Sequence, residues 1–407
     1  MREANDSISL RHLSAFMAAL EQGRIAGASR RIRRSSSAIA RSIGILEQEL
    51  GRPLLARSQR GLAPTAEGAL VAARCQIIGE ELSALQDVLR RSGSRAASSG
   101  GASALRMQFD VSHLRALATV HDFGSVQRAS QLLGISQPAV SSSIRHLEAD
   151  LGIELFSRTP KGMMATPAGV LGALCAKRIL AELRKMKDDI ASIDGGSSGL
   201  VCVGGLAYSR KTLLPEAIRR TLWAFPRIVV RTVEGPIGAL IGAMHAGDID
   251  ALICARPDST LLDGVSVEPI VRDRMGLFVA SHHPLARRRG LAAQDLLPFS
   301  FILPPVGSIT RNLLDDTFAT ATGNRPQGAV ETSSYSLISK LLLSSNQISF
   351  RSMSEFEDEM RTGEIVPLDL TFELPGRAIC LLQRRKGKPT AAVEDFLAVI
   401  REVAGEL

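Results

Sequence analysis

Apolar residues keep two rhythms along this chain, and the change falls near residue 199. Ahead of it the spacing is helical. Leu114, Leu117 and Val120 recur at helical intervals and stop at Gly124, which predicts a helix closed by a glycine cap. Val126 to Leu133 predicts a second, short helix closed by Gly134. Ser136 can then accept a free N–H of a third helix, Pro138 suits its first turn, and Ala139, Val140, Ile144, Leu147 and Leu151 carry it to Gly152. Helix, tight turn, helix presents the start of the later helix to a DNA major groove, unless the bundle serves protein contacts instead. Glu154 to Met164, with Arg158 and Lys161 around Gly162, predicts a hairpin wing able to touch phosphates.

Two longer seams follow the same logic. Val71, Cys75, Ile78, Leu82, Leu85 and Leu89, and again Ala176, Ile179, Leu183, Met186, Ile190 and Ile193, alternate three- and four-residue steps. Such a narrow stripe suits pairing with another helix, or packing on its own domain.

From Gly199 onward short apolar runs alternate with helical stretches. Residues 200–206, 228–233, 249–255, 275–280, 299–303, 329–332, 347–350 and 378–383 read as strands, with helices over 212–224, 236–246, 309–321 and 390–404. This alternation predicts an α/β domain with largely parallel sheets, whose ligands sit beyond the carboxyl ends of strands.

The helical pattern occurs twice. Shifting the chain by 101 residues lays residues 10–68 on 111–169 without a gap, so that His12, Gly23, Ala28-Ser29, Ser35, Leu46-Glu47, Gly51, Arg57, Gly61 and Thr65 meet their like. The first copy is degenerate. Ser36 and Ser37 replace Gln137 and Pro138, Ala40 replaces Ser141, and Arg34 stands where the turn has Ile135, a costly exchange unless the guanidinium snorkels outward. It gains Arg30, Arg31, Arg33, Arg34 and Arg41. The copy reads as a module that holds phosphates more than it reads bases, with Ser36, Ser37, Arg41, Arg57 and Arg60 as its candidate contacts; a relict fold with a solvated arginine face is the alternative.

Charge sharpens this division. Residues 1–110 carry 16 arginines against 10 acids, 111–196 carry 10 bases against 8 acids, and 197–407 carry 23 of each. A basic front and a neutral back point to a polyanion at one end and a small molecule at the other. With 407 residues, 45% of them hydrophobic, the chain supports two to three cored domains. Five widely spaced cysteines without a C-x-x-C pair argue for buried thiols rather than disulfides or zinc. Absence of a signal-like or long apolar run leads us to expect a cytoplasmic protein without membrane contact. Gly195-Gly196-Ser197-Ser198-Gly199 fits the G-x-S-x-G pattern, but a nucleophile elbow needs a strand before it and a helix after it, the reverse of the order predicted. No enzyme, metal or cofactor is expected.

Ala129-Ser130, Leu133, Ile135-Ser136-Gln137-Pro138-Ala139-Val140-Ser141, Leu147-Glu148, Leu151-Gly152, Leu155-Phe156, Arg158 and Thr166-Pro167-Ala168-Gly169 resemble, in order and spacing, the winged-helix signature of the LysR-type transcriptional regulators. The neutral half resembles that family's effector region through Leu214-Pro215, Phe225-Pro226, Glu234-Gly235, residues 247–251, His283-Pro284-Leu285-Ala286 and Glu331-Thr332-Ser333. Ser344 to Gln347 replace its usual glycine-rich segment. The resemblance implies Gln137, Pro138, Ser141 and Ser142 facing DNA, Arg158 and Lys161 near phosphates, and a homodimer or homotetramer joined by the linker helix. It also implies two effector lobes like those of periplasmic binding proteins. Tyr208, Ser209, Gly235, Ser308, Arg311 and Thr332 would line their cleft, a set suited to a small organic acid, aromatic acids included. Helix capping by Ser209 and Ser308 beside a vestigial cleft is the plainer reading.

The expected organisation is therefore α plus α/β. It has a degenerate winged helix-turn-helix with linker helix over 1–91, a flexible joint over 92–106, a second winged helix-turn-helix with linker helix over 107–195, and a two-lobed effector domain over 196–407. The joint, about 15 residues, has a root-mean-square span of roughly 20 Å. The expected function is a DNA-binding regulator answering to a small acid; a ligand-independent architectural DNA-binding protein is the rival.

Overall fold

Side-chain caps and left-handed glycines divide the front of the chain where the apolar rhythm breaks. In a computed structural model, residues 8–59, 61–91, 109–160, 162–193, 195–211 and 213–407 are described. The joint expected over 92–106 lies outside them, as do Arg60 and Lys161. The chain divides into two units, the first being residues 1–200 with His245–Asp248 and Gly387–Ala392.

In the first unit, the first copy comprises α1 (Leu10–Gln22), α2 (Ile25–Ile32), α3 (Ser36–Leu50), the wing β1 (Leu55–Ser58) and β2 (Gly61–Pro64), and the linker helix α4 (Ala66–Arg91). The second repeats it as α5 (Val111–Phe123), α6 (Val126–Leu133), α7 (Gln137–Leu151), β3 (Phe156–Thr159), β4 (Gly162–Ala165) and α8 (Pro167–Ser192). Ser35 caps α3 by accepting the Ala38 N–H at 3.2 Å, and Ser136 caps α7 by accepting that of Ala139 at 3.3 Å.

Each wing is tied to its helix by a carboxylate. Glu47 Oε1 accepts the N–H groups of Leu54 and Leu55 at 2.7 and 3.3 Å; Glu148 Oε1 accepts those of Leu155 and Phe156 at 2.8 and 3.3 Å. At the wing tip a Cβ on Gly61 or Gly162 would stand 2.4 or 2.7 Å from the carbonyl oxygen of Gly23 or Gly124, so only glycine fits. The degenerate copy thus keeps its whole framework. Arg34 proves inexpensive, because its counterpart Ile135 is itself 41% exposed and the turn never needed an apolar side chain. The two copies share one continuous apolar core.

Both seams are buried from Val71 to Leu89 and from Ala176 to Ile190, and α4 packs on α8 of the same chain. Ile193 is the exception at 40% exposed, since α8 has already ended at Ser192.

The second unit holds two five-stranded sheets. One has the order β6-β5-β7-β14-β8, formed from β5 (Gly199–Gly205), β6 (Ile228–Val233), β7 (Ala251–Ala255), β8 (Val265–Asp273) and β14 (Arg377–Arg384). The other has the order β11-β10-β12-β9-β13, formed from β9 (Met275–Ala280), β10 (Phe301–Leu303), β11 (Val330–Glu331), β12 (Ile348–Ser352) and β13 (Ile365–Pro367). Helices α9 (Ala207–Lys211), α10 (Leu213–Ala224), α11 (Ile237–Ala246), α12 (Ala293–Leu296), α13 (Ile309–Thr322), α14 (Tyr335–Ser344), α15 (Glu357–Thr362) and α16 (Ala391–Gly405) connect them.

The sheets are mixed rather than largely parallel. Strands β5 and β7, and β10 with β11 and β12, pair parallel, but β14 runs antiparallel to β7 and β8, and β9 antiparallel to β12 and β13. The cause is the crossing between sheets. Strand β8 in one sheet leads through Arg274 straight into β9 in the other, and β14 returns the chain, so no helix intervenes to reset direction.

Candidate nucleic-acid interface and effector cleft

Helix α7 begins at the exposed surface of the second copy. Gln137 and Pro138 are exposed in its first turn, Ser141 and Ser142 half-exposed one turn on, and Arg158 exposed on the wing. The opposite face of the helix is locked down by Val140, Ile144, Leu147 and Leu151. Four of the five placeable candidates are polar and the fifth, Pro138, occupies a first-turn position where a missing N–H is harmless. Sequence reasoning passed over Arg145, which is exposed, donates from Nε to the Ser141 carbonyl at 3.4 Å and lies one turn along the same helix. Its four-residue spacing from Ser141 was the available signal. Ser142 Oγ lies 3.4 Å from His146 Nδ1.

In the first copy Ser36, Ser37, Arg41 and Arg57 are exposed at the corresponding places, as are Arg30, Arg33 and Arg34. Arg31 is engaged by Glu21 at 2.6 Å, so it contributes less positive charge than its neighbours. Arg33 occupies the helix-stop position filled by Gly134 in the other copy, at φ 53° against 66°.

The six cleft candidates fall at the ends of strands but mostly serve the fold. Tyr208 and Ser209 are both buried; Ser209 Oγ donates to the Leu206 carbonyl at 2.9 Å. Ser308 caps α13 by accepting the Arg311 N–H at 3.2 Å, and Thr332 Oγ1 accepts the Ser334 N–H at 3.1 Å. Arg311 Nε lies 3.0 Å from both Asp315 carboxylate oxygens. Gly235 precedes α11, and an added Cβ would make only ordinary contact, 3.9 Å from Leu240.

A denser set of polar contacts between the two lobes was not read from sequence. Lys211 Nζ donates to Tyr335 Oη at 2.8 Å and to Glu359 Oε2 at 3.2 Å, and also to the Glu355 carbonyl; Tyr335 donates to Glu359. Burial depresses the Lys211 amine, but the Tyr335 and Glu359 partners more than offset this and hold it above its usual value. Deeper in, Asp273 accepts from Ser352 Oγ at 2.5 Å and from Arg377 Nε at 2.7 Å, while Arg377 also reaches Thr310 Oγ1 at 2.6 Å. Arg351 pairs with Glu355 at 2.7 Å. Arg351 and Glu355 stand four residues apart, a local spacing, but the other partners come from strands and helices far apart in sequence, which is why no local pattern signalled them.

The five cysteines are buried free thiols; burial pushes Cys254 up to about 12. The G-x-S-x-G segment follows α8 and leads into β5, not the strand-to-helix order of a nucleophile elbow. Among the described residues no helix is long and apolar enough to cross a membrane.

Residues 194–405 match the LysR substrate binding domain family, and residues 10–69 and 111–170 each match the lysR family of bacterial regulatory helix-turn-helix proteins. The HTH-type transcriptional regulator GalR of Pseudomonas putida is 30% identical over 400 residues, covering 98% of both chains. The HTH-type transcriptional regulator GbpR of Rhizobium radiobacter is 29% identical over 250 residues, 60% of this chain and 83% of that one. Among solved structures, full-length CbnR complexed with target DNA superposes with a TM-score of 0.53 at 20% identity, over 72% of this chain and 99% of that chain. A full-length OxyR variant from Pseudomonas aeruginosa gives 0.55 at 20% identity, over 72% and 94%. Twofold matching of the helix-turn-helix model, the effector-domain match and the full-length kinship together make this chain a member of the LysR family of transcriptional regulators, with its helix-turn-helix domain present twice.

Proposed function

We propose that the second winged helix is the base-reading head and that the arginine-rich first one holds DNA phosphates beside it. The supporting observation is the exposed start of α7, where Gln137 and Ser141 stand on a rigid, capped helix. Arg57 and Arg158 on the wings, with Lys161 and Arg60 beside them in sequence, supply backbone contacts. Ser36, Ser37 and Arg41 occupy the matching turn of α3 but lack the amide that reads adenine. The test is footprinting on DNA flanking the protein's own coding region. Gln137→Ala with Ser141→Ala should erase the preferred site and leave weak, salt-sensitive binding; an unchanged footprint would remove these residues from the interface.

The effector is a small carboxylate held between the lobes of the second unit, with Arg311 and Lys211 as its cations. The lobed architecture and these two positive groups support the reading. Both cations are already paired, with Asp315 and Glu359, so the acid must displace a carboxylate of the protein. That pairing also favours a second reading, an effector domain closed on itself and indifferent to ligands. A thermal-shift screen of small aromatic and aliphatic acids separates the two, since a ligand selective for the folded state must raise the melting temperature.

A further inference from the structure

The linker helices contact each other in a pattern that belongs to a symmetric dimer, yet both lie in one chain. Arg74 on α4 meets Glu182 at 2.9 Å and Asp189 at 2.8 Å on α8, while Glu81, farther along α4, meets Arg178 at 2.9 Å. Later residues of one helix therefore face earlier residues of the other, and the pair is antiparallel. At the offset of 101, Cys175 is the counterpart of Arg74 and Glu182 that of Glu81. Contact of Arg74 with Glu182 thus demands, in an isologous interface, contact of Glu81 with Cys175. It is present: Cys175 Sγ lies 3.5 Å from the Glu81 carbonyl oxygen. Moreover Glu81 and Glu182, counterparts of each other, each receive an arginine from the opposite helix.

The midpoint of this relation falls between residues 77 and 78 and between residues 178 and 179, next to Ile78 and Ile179, themselves counterparts and both fully buried. On either side Cys75, Leu82, Leu85, Ala176, Leu183 and Met186 are buried too. The seam that a LysR-like linker helix would offer to a second subunit is filled from within.

We infer that α4 and α8 form a dimer contact in cis, so that one chain carries a complete, pseudo-twofold pair of DNA-binding heads and a single chain occupies a two-part, asymmetric DNA site. One half of that site is read through Gln137 and Ser141 and the other is gripped through the arginines of the first copy; any homo-oligomer assembles through another surface. The DNA part rests on the proposed function above; the cis pairing does not.

The test uses the full-length chain with its five native cysteines replaced by alanine and with Ile78→Cys and Ile179→Cys added. Oxidation should give a cross-link within a single chain, seen as one-chain mass on a non-reducing gel, and a two-chain product would overturn the cis pairing. Should this variant fail to fold or oxidise, 14N- and 15N-labelled unsubstituted chains are refolded together and given a zero-length carbodiimide cross-linker. Linked α4 carboxylate and α8 lysine peptides should then carry one label only, whereas mixed-label pairs as frequent as same-label pairs overturn it. Neither measurement involves DNA. Finally, the oxidised single-chain species should give the footprint of the reduced protein; loss of the footprint on locking would overturn the claim that the cis pair is the DNA-bound form.

Discussion

Arg74 and Glu182 form an ion pair 2.9 Å long in which each side chain is 1% exposed. Arg74 also donates to Asp189 and to the carbonyls of Lys388 and Pro389, so a guanidinium fork is fully satisfied inside a largely apolar seam. Arg74→Ala would take the guanidinium away from both Glu182 and Asp189, and breaking such a buried pair costs about 3–5 kcal/mol. Chemical denaturation should show the loss, and the paired change Arg74→Met with Glu182→Met should restore only part of it, because Asp189 also loses the guanidinium. A single variant losing under about 1 kcal/mol would mean that water already reaches the pair.

Arg33 pays for a conformation that Gly134 adopts freely. A non-glycine residue in the left-handed region costs roughly 1–2 kcal/mol. Arg33→Gly should therefore stabilise the first copy by about 1 kcal/mol while weakening DNA binding at low salt, and paired denaturation and salt-titration curves check both signs.

Deleting the first copy should change how binding responds to salt more than which sequence is preferred. Each phosphate neutralised contributes about −0.9 to the slope of log K against log salt concentration. A chain carrying Arg30, Arg33, Arg34 and Arg41 all changed to alanine, four exposed positions, should keep the fold and is the cleaner comparison. We expect the same core site, a shorter protected region and a flatter slope; an identical slope would assign these arginines to solvent.

Acid should loosen both units. Burial lowers the affinity of His113 and of His283 for protons, in His113 despite Asp110, and His283 Nδ1 already accepts the Leu285 N–H at 3.1 Å. A histidine depressed in the folded state contributes its full stability above the unfolded value of about 6.5. That stability is lost as pH falls from there through the folded pKa. Melting temperature should accordingly drop below about pH 6.5, and His283→Asn should flatten part of the drop.

The helical front was legible because its signals are local: a serine cap, a proline in the first turn and a glycine stop sit within a few residues of the helix they define. Strand β8 was not. Pro269 and Glu268 interrupt its apolar pattern, and opposite them the register with β14 shifts between Ile379 and Cys380, a bulge that only the partner strand defines. Direction within the sheets was missed for a related reason, since the crossing at Arg274 is set by two distant strands. In the cleft the Arg311–Asp315 pair was readable at its four-residue spacing, whereas Lys211 with Tyr335 and Glu359 required the tertiary fold. The linker seams were visible, but an apolar stripe does not name its partner.

A symmetric pair of identical heads lies the same way round whichever end of its site it meets. The two heads here are unlike, with Gln137-Pro138 on one and Ser36-Ser37 on the other, and they are held on one stalk through Arg74 and Glu182. Bound to DNA, such a protein has a front and a back. It can tell upstream from downstream along the duplex, so reversing its site should exchange which head lies nearer the promoter instead of leaving the complex unchanged.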